Sequence, residues 1–206
     1  MLPTITDHNT PILTANPDRI LSILQILSNP PRRIVDLLSC HPGSSYDMAM
    51  NESVDFEMMH LALAQAAAAA RVGEVPVGAV VYRDGRVLAE AHNRRESDSD
   101  PTAHAEILAL REAARVVGSW RLEGCSIAVT LEPCPMCAGA LVNGRVERLV
   151  YGAADPKMGC VESLNQLCTD PRFNHRLVVV AGVVADECGA ILSDFFASRR
   201  ASNHSK

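Results

Sequence analysis

Two short fragments constrain this chain more than anything else in it. Thr102-Ala103-His104-Ala105-Glu106 and Glu132-Pro133-Cys134-Pro135-Met136-Cys137 each open a stretch that reads as a helix. Together they offer one imidazole, two thiols and a spare carboxylate, which is chemistry only if the fold brings them together. A closed structural zinc site uses four protein ligands, whereas a catalytic one uses three and keeps a position for water. Cys134 and Cys137 stand three apart, so they share a helix face and can grip one ion. At a helix N-terminus, exposed N–H groups and the dipole favour thiolate over thiol. Pro135 fits there because the first helical position has no intrahelical donor to lose. His104 and Glu106 would diverge in mid-helix, yet from a helix end both can reach a site beyond the terminus. The expected ligands are therefore His104, Cys134 and Cys137, holding one Zn2+ per chain. Ligation would consume a carboxylate's basicity, so Glu106 is expected to carry protons without binding the ion. Glu132 is the weaker competitor for that role.

The rest of the chain has to build one domain around that site. A length of 206 residues with 48% hydrophobic composition suffices for one well-packed domain and falls short of two full-sized ones. Asn51 or Ser53 can cap a first helix whose apolar face is Phe56, Met59, His60, Leu63, Ala66, Ala67 and Ala70, with Gly73 as its stop. Gly78 to Tyr82 and Arg86 to Ala91 are β-rich and joined by Arg83-Asp84-Gly85, a hairpin signal. A helix is expected from Pro101-Thr102 to Gly118, a strand over Ser126 to Leu131, and a helix from Cys134 to about Asn143-Gly144. Arg148 to Tyr151 should be a strand. Asp155 to Asp170 reads as a loop with one helical stretch around Ser163–Leu167. Leu177 to Val184 suits a buried fifth strand, and a last helix opens at Asp186 or Glu187. This order implies a three-layer α/β/α arrangement on a five-stranded mixed sheet.

The His-x-Glu and Pro-Cys-x-x-Cys pair is a known signature of zinc-dependent base deaminases, so the pattern is recognised and not discovered. In that chemistry an acidified water attacks the ring carbon bearing the exocyclic amine. Glu106 takes the water's proton, passes it to the ring nitrogen and helps protonate the departing ammonia. The similarity extends beyond the motif. Glu74-Val75-Pro76-Val77-Gly78-Ala79-Val80, Asn93-Arg94, Asp100-Pro101-Thr102-Ala103-His104-Ala105-Glu106-Ile107, Val129-Thr130-Leu131-Glu132-Pro133-Cys134 and Leu192-Ser193-Asp194-Phe195-Phe196 resemble the bacterial tRNA-specific adenosine deaminases of the cytidine deaminase-like superfamily. The resemblance covers about Asn51 to Arg200. It implies a cytidine deaminase-like fold and conversion of adenosine to inosine at the wobble position of a tRNA anticodon stem-loop. It further implies a homodimer with one zinc per subunit, meeting through apolar surface around Met136 and Leu141. By position it assigns Asn93 to the flipped base, Asp155 and Lys157 to the anticodon backbone, and Phe196, with Arg200 nearby, to the flanking nucleotides. Phe195 is expected in the core. Two departures stand out: Cys160 follows Gly159 where a small residue is usual, and Ala153-Ala154 stand where a longer or charged side chain is common.

Other features limit the setting. The net charge is −5, so RNA would be held by a local patch and a pocket and not by global charge. Seven cysteines, an odd number, without a secretory signal, point to a reducing, cytoplasmic compartment. Cys125, Cys160, Cys168 and Cys188 read as buried free thiols. Residues 1–49 are rich in Pro, Ser and Asn; they are expected to be an N-terminal extension, poorly ordered or a start-site artefact with Met48 or Met50 as the true start. The deaminase domain is then 50–200, with a polar tail at 201–206. Two other functions remain open. A free nucleobase or nucleoside deaminase acting on guanine or cytosine would share the zinc and Glu106 but would not need Lys157 or a basic last helix. A zinc-stabilised RNA-binding or scaffold protein would tolerate Glu106→Gln.

Overall fold

The computed structural model describes residues 45–203. The short helical stretches expected upstream of residue 45, the start-site question and the end of the polar tail lie outside the described residues. Four helices and five strands follow in the order α1 (Ser45–Arg71), β1 (Gly78–Arg83), β2 (Arg86–His92), α2 (Ala105–Val117), β3 (Ser126–Leu131), α3 (Pro135–Asn143), β4 (Arg148–Ala153), β5 (Val178–Val180) and α4 (Ala185–Asn203). The strands form one mixed sheet in the order β2-β1-β3-β4-β5. β1 runs antiparallel to β2 and β3, while β3, β4 and β5 are parallel.

Side chains alternate across a strand, and here both faces are apolar because both are covered. Ala79, Val81, Ile127, Val129, Leu149 and Tyr151 face a core shared with α2 and α3. Val80, Tyr82, Ala128 and Val150 face a second core with Met58, Met59 and Ala62 of α1 and Cys188 of α4. The three-layer α/β/α expectation is met. The hairpin turn is as expected too: Asp84 and Gly85 both have positive φ, 51° and 71°, as the tight two-residue turn requires. Helix α1 lies so close to the sheet that a Cβ on Gly78 would sit 2.0 Å from the Ala62 carbonyl oxygen. The small residues Ala62, Ala66 and Ala69, all fully buried, permit that approach.

Several expectations need correction. α1 starts at Ser45, ahead of Asn51 and Ser53. Its buried stripe is Asp55, Met58, Met59, Ala62, Ala66 and Ala69, while Phe56 is 54% exposed and stacks on the exposed His60 at 4.6 Å. Asp55 takes the inner position because Tyr82 Oη donates to it at 3.1 Å and Arg148 pairs with it. The 155–170 segment is a succession of turns with no helix at Ser163–Leu167. β5 is three residues long and Val178 is 58% exposed; it is an edge strand, and the positive φ of Gly182 (78°) and Val184 (55°) turns the chain away before Val184. Of the two residues expected at a dimer surface, Leu141 is fully buried within the chain and Met136 is half-buried, so only Met136 could reach a second copy.

Candidate active site

The carboxyl ends of the parallel strands β3 and β4 and the opening of the antiparallel β1 lie at one end of the sheet. In open α/β sheets ligands bind outside the carboxyl ends of the strands, at the point where the strand order reverses, here between β1 and β3. Beyond β3 the chain runs Glu132-Pro133-Cys134 and enters α3 with Cys134 as its extended N-cap, φ −70° and ψ 174°, and Pro135 in the first turn. His104 is the extended N-cap of α2, φ −74° and ψ 150°. Neither residue makes a side-chain capping bond of the usual kind, and the imidazole and the thiol face each other. Cys134 Sγ and Cys137 Sγ lie 3.7 Å and 3.5 Å from His104 Nδ1. A tetrahedral ion with bonds of about 2.3 Å to sulfur and about 2.0–2.1 Å to nitrogen sets those atoms about 3.5–3.6 Å apart. The donor set fits zinc, and it is the one cluster of metal-ligating side chains found among the described residues.

The electrostatics of the cluster suit a cation. A hydrogen bond from Cys137 holds the Cys134 thiol down at about 4, and His104 adds to the effect. That shared proton, together with burial, raises Cys137. Contact with Cys134 raises His104. Cys134 is thus the thiol that gives up its proton more readily, and a coordinated cation would favour loss of the proton from both. Both helices aim their N-termini at this cluster, which favours the negative charge.

Glu106 sits in the first turn of α2, 4% exposed. Burial pushes its carboxyl above the usual range. With His104 and Cys134 it lines a pocket of about 230 Å³ whose other walls include Asn93, Val77 and Leu131. Sites for drug-sized ligands usually run to roughly 300–1,000 Å³, so this one suits a single heterocycle and not a whole nucleotide.

Two further buried glutamates shape the pocket. Glu74, 1% exposed, stands between α1 and β1. It accepts from Asn93 Nδ2 at 3.0 Å, Glu96 N at 3.3 Å, Ser97 N at 2.6 Å and Ser97 Oγ at 2.7 Å. Glu132, 2% exposed, gathers Asp155 N at 3.0 Å, Val161 N at 3.1 Å, Glu162 N at 2.8 Å and Ser163 N at 2.9 Å, and also accepts from Ser163 Oγ. Burial alone would raise Glu132, but the bonds from Ser163, Glu162 and Asp155 outweigh it and hold the group at about 2. So Glu132 stays ionised and ties down the 155–163 loop, which fits its low standing as a proton carrier. Sequence reading does not find the anchoring role of either, because their partners are backbone and side-chain donors of distant loops. The available signal is an acid set directly beside a β-run where the alternation calls for an apolar or turn residue.

The remaining expected residues divide between two places. Asn93, 7% exposed, and Asp155 line the pocket. The Asp155 carboxylate is engaged with its own turn, accepting from Lys157 N at 2.9 Å and Met158 N at 3.2 Å. Lys157 and Phe196 lie outside the pocket, together in an open groove with Leu192, Ser193 and Arg200. The 155–158 loop borders both, with Met158 on the pocket side and Lys157 on the groove side. Phe196 is 44% exposed. Phe195 is half-buried and not core: it meets Phe196 edge-on at 5.4 Å and carries the Arg199 guanidinium 5.0 Å above its ring. The described cysteines outside the cluster, Cys125, Cys160, Cys168 and Cys188, are free and buried, as expected.

Comparison with known proteins agrees with this geometry. The family model of MafB19-like deaminases matches residues 53–200. The chain is 51% identical over 142 residues to the tRNA-specific adenosine deaminase of Bacillus subtilis (strain 168), covering 69% of this chain and 88% of that one. With the tRNA-specific adenosine deaminase of Haemophilus influenzae it shares 48% identity over 147 residues, 71% of this chain and 85% of the relative. Among solved structures, a tRNA:A34 deaminase studied for A-to-I editing at the wobble position superposes with a TM-score of 0.64 at 46% identity. That match covers 66% of this chain and 99% of the other. The chain is an enzyme of the deaminase family to which the tRNA-specific adenosine deaminases belong.

Proposed function

We propose that this enzyme deaminates adenosine to inosine at the wobble position of a tRNA anticodon, with one zinc ion held by His104, Cys134 and Cys137 and with Glu106 as the proton carrier. The observation that carries the reading is the meeting of three metal donors and a buried carboxylate outside that donor group at the wall of a small pocket. Bound there, zinc supplies a water molecule acidified toward a pKa of ~7. Glu106 would accept a proton from the water that attacks the ring carbon bearing the amine. It delivers the proton to the neighbouring ring nitrogen, and the second water proton leaves with the amine as ammonia.

The tRNA substrate is supported by the curated relatives and by the groove beside the pocket. A base flipped out of a single-stranded loop enters the pocket, while its neighbours lie outside on aromatic and basic side chains. Phe196 and Lys157, the latter on the groove side of the 155–158 loop, line a groove that would suit those neighbours. A free nucleobase would also fit the pocket, but it would leave the groove without a purpose.

The homodimer belongs to the same proposal, with its surface moved. Because Leu141 is buried, the apolar face open to a second copy is the shallow groove between α2 and α3, lined by Ile107, Leu110, Ala114, Trp120 and Ala140. Trp120 is 60% exposed, more than its size favours in a monomer. Light scattering on the eluting protein at micromolar concentration should give the mass of a dimer; a clean monomer would refute it. A cytoplasmic setting fits the tRNA substrate and the free thiols, and no helix among the described residues is long and apolar enough to cross a membrane.

The test of substrate is an inosine assay. An anticodon stem-loop carrying a wobble adenosine should accumulate inosine, while free adenosine, guanine and cytosine stay unchanged. Turnover of a free base with an untouched stem-loop would move the function to nucleobase salvage.

A further inference from the structure

We infer that Glu74 is a positioning residue for the reaction: it locks the Asn93 amide in one orientation, so that the base meets a fixed donor and acceptor edge. The inference rests on the deaminase reading above. Asn93 can turn its amide over, since oxygen and nitrogen have nearly the same shape, and the neighbours decide which faces where. A carboxylate only accepts, so the atom that lies 3.0 Å from Glu74 Oε2 is the Asn93 nitrogen. The oxygen and the second amide hydrogen remain for whatever occupies the pocket that Asn93 lines.

The Asn93 backbone is held independently. Its N–H donates to the Val77 carbonyl at 3.0 Å, and Arg94 N donates to the Ala103 carbonyl at 3.0 Å. The side-chain torsions and the amide flip are what Glu74 decides. Glu74 itself has nothing left to offer a substrate. Oε1 accepts from Ser97 N and Ser97 Oγ, and Oε2 from Asn93 Nδ2 and Glu96 N, which fills the four acceptor sites of a carboxylate. These bonds outweigh burial, and the group is held below its ordinary range. So the pocket's second buried carboxylate acts through Asn93 and leaves proton transfer to Glu106.

Glu74→Gln tests this at almost constant shape. The new amide nitrogen must face one pair of donors. Facing Ser97 N, which lies only 2.6 Å from Oε1, it would set two donors against each other. Facing Asn93, it forces that amide to turn over, which reverses the edge offered to the base. The experiment is a double-mutant cycle of Glu74→Gln and Asn93→Ala, read as kcat/KM per zinc-loaded chain on whichever base the wild-type enzyme deaminates. The choice of substrate therefore tests the functional reading, and the cycle tests only this inference. A buried hydrogen bond to a charged group supports a loss of roughly tenfold to a hundredfold from Glu74→Gln alone, falling below about threefold once Asn93 is already Ala. Additive losses would reduce Glu74 to a loop tether and overturn the inference, as would a Glu74→Gln enzyme with wild-type kcat/KM. A second readout needs no Glu74 variant. In the wild-type protein one Asn93 amide proton should be shifted downfield and protected from solvent exchange, assigned by its loss in Asn93→Ala; a pair with free-amide shifts and exchange would overturn the inference.

Discussion

Glu132→Ala should loosen one loop and, through it, the wall between pocket and groove. The side chain accepts five hydrogen bonds, three on Oε1 from the successive N–H groups of Val161, Glu162 and Ser163, and two on Oε2 from Asp155 N and Ser163 Oγ. Bonds to a charged acceptor contribute about 1.5–3 kcal/mol each, but freed donors near the surface recover water. The net cost is therefore set by breaking one buried network, about 3–5 kcal/mol. For a domain of this size each kcal/mol moves Tm by about 2–4 °C, so calorimetry should show a fall of about 6–20 °C. Glu132→Gln separates the two oxygens. With its carbonyl in the Oε1 place it keeps the three successive N–H bonds and sets an NH2 against Asp155 N, costing about 1–2 kcal/mol. Amide hydrogen exchange supplies the local readout: Asp155, Val161, Glu162 and Ser163 should exchange faster in both variants, more so in Ala, while β3 and β4 keep their protection. Equal costs for Ala and Gln, or unchanged exchange at those four amides, would refute the reasoning.

Three further outcomes follow from the same geometry. Gly78→Ala places a methyl 2.0 Å from Ala62 O and 2.6 Å from Ala66 N; since backbone cannot yield cheaply, the expected cost is about 3 kcal/mol or more, and a variant as stable as wild type in urea would contradict the close approach of α1. Asp55→Ala leaves Arg148 without its carboxylate and Tyr82 without its acceptor, for an expected loss of about 3 kcal/mol, measurable as a lower urea midpoint at constant slope; no change would show the pair to be idle. The Glu74 carboxyl has a folded-state pKa below its unfolded value of 4.5. Its contribution is present above that value and is lost as pH falls through the folded one. The stability gap between wild type and Glu74→Gln should therefore be widest near neutral pH and narrow below about 4.5; a gap that widens on acidification would reverse the sign of this argument.

Much of this was legible in the sequence because the informative residues act locally. The Asp84-Gly85 turn, the β3 strand and the opening of α3 at Cys134 depend on a few neighbouring residues, and the expectation for each matches the structure, whereas α2 starts at Ala105 with His104 as its N-cap and not at Pro101-Thr102. The three donors were legible because their spacing is itself the chemistry. What was hidden depends on distant partners. Asp55 looks like a surface residue until Tyr82 and Arg148 arrive from β1 and β4, and Phe56 looks like core until Asp55 takes the inward position. The run at Leu177–Val184 is apolar enough for a buried strand, but being last in the sheet it pairs on one side only and ends at Val180. Glu74 and Glu132 are the clearest case. Each is a lone acid in sequence, and each becomes the anchor of a loop more than twenty residues away.

The central claim is that three side chains hold the ion while Glu106 moves the proton without touching it. Zinc content and inosine formation, measured on the same sample of Glu106→Gln, test that claim most directly. One zinc per chain, as in wild type, with inosine formation lowered by about 10²–10⁴ or more, is the predicted result. Loss of zinc would make Glu106 a ligand, and undiminished inosine would assign the proton to another group; either result would contradict the account.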